Sequence, residues 1–248
     1  MRVHALSLAV TRAYFRDKVT LFFTFAFPLI FLVVFGLAFG GQKLGTGRVI
    51  DYTGPGVMAW AVGNAALFGV SYTLVQWRTN DLLRLIRLTP TPLPAVFVAR
   101  YLPAIAIAIV QAVFFLGIAA LPVFGLHVAA STPLALPVLL AGVTAFFALG
   151  VIVAAIAGSA EAIAAIANCI MLPMAFLSGT FYPISESPQW MQDVSRALPL
   201  RYLIDGVTAQ LSGTGTVGGA LTATGVLLAF AAAFSVLAAR TFRWGGAA

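Results

Sequence analysis

The sequence predicts an all-α integral membrane fold: six transmembrane helices, an N-terminal interfacial helix, a short cytoplasmic helix between the second and third spans, and short external re-entrant segments after the fifth. Three observations carry this reading. Of 248 residues 61% are hydrophobic and 8% charged, with a mean hydropathy of +1.03, whereas a soluble domain carries about 25% charged residues. Six stretches are long and apolar enough for a helix to cross roughly 30 Å of hydrocarbon, which takes about 20 residues. The basic residues divide unequally between the segments that join those stretches.

Residues 1–18 form a basic amphipathic segment. Val3, Leu6, Val10, Ala13 and Tyr14 share one side of a helical wheel, and Arg2, Arg12 and Arg16 gather on another, the pattern of a helix lying in the headgroup layer. Leu8 and Phe15 fall off the apolar stripe and Asp17 falls on it. The apolar run that follows is longer than the core of a secretory signal, which is about 7–15 residues. The six spans are 19–41, 56–77, 95–125, 133–157, 162–181 and 219–239, making 1–248 a single transmembrane domain. The third is long enough to tilt or break at Pro103 or Pro122, and its Arg100 can snorkel to the nearer interface.

With the amino terminus inside, ten of the 14 basic residues lie on the cytoplasmic side and Lys43, Arg48, Arg196 and Arg201 lie outside. Both termini and the polar interruption at 78–90 are therefore expected in the cytoplasm. Within that interruption Asn80 or Asp81 can cap a helix start. Leu82, Leu85 and Ile86 share one face with Leu83 and Leu88 at its margins, while Arg84 and Arg87 sit three apart on another side. Pro90 stops the helix by disfavouring helical backbone at Thr89. The pattern fits either an ordinary amphipathic loop or a helix on which a partner docks.

The net charge of +7 and pI near 10.2 follow from this topology. No basic patch interleaves with aromatics, so nucleic acid is not the expected partner. The abundance of Arg over Lys fits a GC-rich bacterial genome. His4 and His127 fall on opposite sides, which removes a histidine metal cluster or a nucleophile–histidine pair. The single Cys169 excludes an intramolecular disulfide. A G-x-G-x-x-G spacing at Gly213, Gly215 and Gly218 follows no strand and reads as a flexible Gly/Thr linker. Gly36 and Gly40 in the first span, and Ala162, Ala164, Ala165 and Ala167 in the fifth, permit close helix approach. Phe22, Phe23, Phe25, Phe27, Phe31 and Phe35 crowd the first span, a pattern of lipid-facing or packed rings more often than of a transport path. The spans hold almost no ionisable group away from their ends, and an ion-driven carrier is expected to bury at least one acid. No G-x-x-x-x-G-K-[ST] loop occurs either. Energy for transport must come from another chain.

Two motifs together resemble the membrane subunit (permease) of ABC-2 type exporters, particularly the daunorubicin-resistance type. One is the 78–90 segment, which is similar to the family's coupling helix. The other is Leu177-Ser178-Gly179-Thr180-Phe181-Tyr182-Pro183-Ile184, followed by Pro188, Trp190, Leu198-Pro199-Leu200, Tyr202 and Asp205. In physical terms Gly179 and Pro183 end or bend the fifth helix, Pro188 opens a short helix with Trp190 at the interface, and Pro199 breaks the chain again.

The resemblance implies a permease pair, a homodimer for this chain, with two separate ATPase subunits that hold ATP and Mg; no cofactor belongs to this chain. The docking residues it implies are Arg78, Asp81, Leu82, Leu83, Arg84, Leu85, Arg87, Thr89, Pro90 and Glu161. The external gate it implies is Ser178, Gly179, Phe181, Tyr182, Pro183, Pro188, Trp190, Pro199, Tyr202 and Asp205. The expected cargo is an amphipathic drug-like or lipid-like molecule moved outward; the alternative cargo is a lipid-linked polysaccharide or other envelope polymer. The short first external loop, 42–52, leaves no room for a large extracytoplasmic domain. A lipid-modifying membrane enzyme is a distant third reading, because such chemistry needs acid pairs for a divalent cation.

Overall fold

The computed structural model of the chain describes residues 11–12, 14–39, 43–44, 47–82, 93–126 and 128–241. Among these, six helices are long and apolar enough to cross a membrane: Phe22–Phe39, Val49–Thr79, Ala95–Ala119, Thr132–Ile156, Ala160–Leu177 and Val217–Thr241. They correspond in order to the six expected stretches. Most of the N-terminal interfacial segment (1–10) and of the 78–90 helix (83–90) lies outside the described residues.

The first span is not a uniform helix. Lys18–Leu21 is α-helical, Phe22–Ala26 is a π turn, and Phe27–Phe39 is α-helical again. The cause is Pro28. It has no N–H for the carbonyl four residues back, which is that of Thr24, and the chain widens so that the Phe27 N–H reaches Phe22. Gln111 of the third span, fully buried, supplies the missing donor through Nε2 to the Thr24 carbonyl at 2.7 Å. The Thr24 hydroxyl in turn bonds the Tyr14 hydroxyl at 2.5 Å, which ties the preceding helical segment to the span. Asp17, out of place on an apolar stripe, is a cap: its carboxylate accepts from the Thr20 N–H at 3.3 Å and the Thr20 hydroxyl at 2.5 Å.

The second helix begins at Val49, earlier than its apolar run. Arg48 and Asp51 form a capping box there, and the Arg48 guanidinium also donates to the Gly125 carbonyl. The third helix, Leu93–Ala119, runs unbroken through Pro103 and ends before Pro122; the chain then turns through Gly125 at φ +62°. Arg100 does not snorkel outward. Only 3% exposed, it folds against the second span, where its Nε donates to Thr73 Oγ1 at 3.0 Å. Gly69 leaves the space, since a Cβ there would lie 2.6 Å from Nη2.

The second and fourth spans form the enclosed centre, while the first, fifth and sixth lie mostly open on their outer sides. The sixth packs chiefly on the fourth. Where the second and fourth cross, a Cβ on Gly150 would meet the Leu67 carbonyl oxygen at 2.5 Å, and the Ser71 hydroxyl lies 2.8 Å from the Gly150 carbonyl. Small residues and one hydroxyl thus bring the two backbones together. The space at Gly36 is filled by Phe124, and Gly40 lies outside the described residues. The alanines of the fifth span divide, with Ala167 buried and Ala165 exposed.

Candidate functional site

Functional residues from the sequence collect at two opposite ends of the bundle. At one end Arg78, in the last turn of the second helix, donates to the Ala157 carbonyl at the end of the fourth span. That contact sets the second helix beside the turn leading to Glu161, an exposed residue in the first turn of a helix capped by Ser159. Asn80 does not start a new helix. It closes the old one, its N–H bonding the Gln76 carbonyl at 3.0 Å, and Asp81 follows in the left-handed region at φ +55°. Leu82 is helical and half-buried, packed against the core. Leu83, Arg84, Leu85, Arg87, Thr89 and Pro90 lie outside the described residues.

At the other end the fifth helix stops in a Schellman turn. Ser178 is the last residue of the turn, Gly179 takes φ +80°, and the Thr180 N–H bonds the Ala175 carbonyl at 3.2 Å. The turn lies against the second helix at Gly56, where a Cβ would collide with the Thr180 carbonyl oxygen and sit 3.0 Å from its carbon. Phe181 then swings into an aromatic cluster, its ring 5.4 Å from Phe35, 6.0 Å from Phe31 and 6.2 Å from Trp60. The Tyr182 hydroxyl turns back to donate to the Phe176 carbonyl at 2.5 Å. Pro188 precedes the short helix Gln189–Ser195, and Trp190 on it is 59% exposed. Pro199 opens the helix Pro199–Ser212 at its first position, the place where a missing N–H is harmless. Tyr202 donates from its hydroxyl to the Arg196 carbonyl at 2.8 Å.

These turns border an open cavity of about 520 Å³. Its walls come from the start of the second helix (Asp51, Tyr52), the turn after the fifth (Ser178, Gly179, Tyr182, Pro183) and the helix Pro199–Ser212 (Arg201, Asp205, Thr208). Five of the ten gate residues thus line one space: Ser178, Gly179, Tyr182, Pro183 and Asp205. Phe181, Pro188, Trp190, Pro199 and Tyr202 shape or flank it. Each carboxylate on the wall has an arginine. Asp51 lies 3.4 Å from Arg48, and Asp205 pairs with Arg201, which also reaches Ser195 Oγ at 3.2 Å. Burial pushes the Asp205 carboxyl above its usual range, with Arg201 pulling the other way. Gly213, part of the apparent dinucleotide spacing, ends the helix at φ +77°, and the Gly215 N–H bonds the Ala209 carbonyl at 2.7 Å. It is an ordered helix stop, not a linker.

Sequence reasoning missed Asp51, Arg201 and Thr208 as wall residues and Gly56 as the seat of the turn. The first two left a signal in Arg48-x-x-Asp51, a capping spacing, and in Arg201-x-x-x-Asp205, a helical ion-pair spacing. Thr208 and Gly56 left none.

A family model described as ABC-2 type transporter matches residues 2–211. Nodulation protein J of Rhizobium meliloti (strain 1021) is 38% identical over 80 residues, 32% of this chain and 30% of that protein. Linearmycin resistance permease protein LnrN of Bacillus subtilis (strain 168) is 31% identical over 84 residues, 34% of this chain and 22% of that protein. Nodulation protein J of Rhizobium leguminosarum bv. viciae is 34% identical over 79 residues, 32% and 30%. The matches span less than a third of the length of these curated relatives. The family match, by contrast, runs through five of the six spans and the cavity helix, and the chain is a multi-pass membrane protein that belongs to the ABC-2 type transporter family.

Proposed function

We propose that this chain is the membrane-spanning subunit of an ATP-driven exporter, paired with a second copy and with two separate ATPase subunits. Both termini and the Arg78 end face the cytoplasm, and the Tyr182 end faces outward. The ATPase docks on 78–90 and Glu161. The Arg78–Ala157 contact then carries its movement to the second and fourth spans, the centre of the bundle. The outward direction is supported by the family alone, and a sequence without a nucleotide-binding loop supports a separate ATPase chain.

The cargo reading rests on one observation: the cavity at the outward end is walled by paired charges and hydroxyls while an aromatic cluster lies beside it at Phe181. That combination suits a molecule with a large polar head on an apolar tail, a lipid-linked saccharide or related envelope polymer. A second reading, a drug-like amphiphile, is favoured by the likeness to a resistance permease. Docking is tested by co-purifying the ATPase with an Arg84→Asp, Leu85→Asp variant. Association is expected to fall at least tenfold, and undiminished association contradicts the docking assignment.

A further inference from the structure

The first span is jointed near its amino-terminal end, and the joint is held from two sides. At Phe22–Ala26 the helix widens to a π turn, with the Phe27 N–H bonded to the Phe22 carbonyl. Ordinary α geometry there places the Pro28 ring against the Thr24 carbonyl and gives that carbonyl no N–H. Thr24 is buried and gripped twice. Gln111 of the third span donates to its carbonyl at 2.7 Å, and its hydroxyl lies 2.5 Å from that of Tyr14, on the helical segment before Asp17. The two turn geometries differ by one residue's worth of rotation, roughly 100°, which carries an exposed side chain through about 8 Å. The helix beyond the joint is lightly held within the chain. Of the 13 residues of Phe27–Phe39 only Pro28 and Leu32 are buried. Its Phe31 and Phe35 rings lie 6.0 and 5.4 Å from Phe181 in the turn after the fifth span. Ser178, Gly179 and Tyr182, on either side of Phe181, border the cavity.

We propose that the Phe22–Ala26 turn is a two-state joint, latched in its widened state by Tyr14 and Gln111, through which the N-terminal helical segment sets how Phe31 and Phe35 seat against Phe181. With Tyr14 in place the Thr24 side chain is held and the π turn persists. When the N-terminal segment moves away, Thr24 is released on that side and the balance moves toward α geometry. Phe27–Phe39 then turns its rings off Phe181, and the Ser178–Tyr182 edge of the cavity loses its aromatic support. The two ends of the bundle gain a second connection, through the first span, beside the one along Val49–Thr79. Such coupling needs one element with two discrete arrangements that both ends bias, and the widened turn is that element. The joint is a regulator of the cavity, and it rests on the export reading only for which end faces outward.

The test uses the full chain in nanodiscs, with Cys169→Ala removing the native exposed thiol. Labelled chain is diluted in unlabelled chain, so that spin-label distances fall within one chain. Labels sit in pairs at Leu37→Cys, Leu136→Cys and Val236→Cys, all at exposed positions. Pro28→Ala returns the missing N–H and removes the ring, and at least one of the two Leu37 distances is expected to shift by several Å. Tyr14→Phe, which removes one hydroxyl, should populate the same shifted distance as a second peak. The Leu136–Val236 distance should hold in both, because the fourth and sixth spans pack on each other. A label at Ser185→Cys, on the cavity wall beyond Phe181, should show a broader distance to Leu136 in both. Leu37 unmoved in Pro28→Ala, a Tyr14→Phe chain identical to wild type, a Leu136–Val236 shift, or an unchanged Ser185 distribution overturns the proposal. ATPase stimulation by the wild-type chain is measured apart. Stimulation beside an unmoved Leu37 removes the joint and leaves the exporter reading standing, and a moving Leu37 without stimulation does the reverse.

Discussion

Arg100 is the residue that most departs from an apolar protein's expectations. A guanidinium inside a membrane helix is stabilised only by what the bundle provides, and here that is chiefly Thr73, with Nη1 unpartnered. Thr73 acts in both directions, donating to the Gly69 carbonyl at 2.7 Å and accepting from Arg100 at 3.0 Å. Thr73→Val keeps the shape and removes the acceptor, leaving the buried cation worse solvated. Losing such a partner costs about 2 kcal/mol, and thermal unfolding in detergent should show it. Thr73→Ser, which restores the acceptor, should recover most of the loss. Nothing in the local sequence announces this pairing. Thr73 and Arg100 are 27 positions apart with the polar interruption between them, and only the fold brings the two together.

At the scale of elements, the helix order was legible because burial in lipid demands long apolar runs, and each of the six runs became a helix. Their ends and defects were less legible, since these depend on distant partners. Val49 begins a helix because Arg48 finds both Asp51 and Gly125. Phe22–Ala26 widens because Pro28 withholds a donor, and it is held by Gln111, 87 residues away. Gln111→Leu leaves the Thr24 carbonyl without its donor and is expected to cost about 1–3 kcal/mol. Hydrogen exchange at residues 22–28 should rise while the fourth span stays protected. Gly56 is the other such point. Backbone, not a flexible side chain, fills the space beside it, so Gly56→Ala should cost about 2 kcal/mol and loosen the Ser178–Thr180 turn. Cysteine labelling of Thr180→Cys in a chain that also carries Cys169→Ala, since the native Cys169 is exposed, reads this directly; unchanged labelling contradicts the contact.

For the molecule as a whole, two ends and an enclosed centre divide the work. One helix, Val49–Thr79, carries Arg78 at one end and Asp51 of the cavity wall at the other, and it crosses the fourth span closely at Leu67 and Gly150; in the proposed function this helix is the path between the two ends. The cavity itself could not be read from the sequence. Its wall gathers residues from 51 to 214, and the motif between 177 and 205 supplied only a third of them.

The claim that the chain is driven by a docked ATPase is tested most directly by ATP turnover in proteoliposomes, comparing the ATPase alone, with this chain, and with the Leu85→Asp chain. The account predicts severalfold stimulation by the wild-type chain and none by the variant, both reconstituting equally. Equal stimulation by the two chains, or none by either, would contradict it.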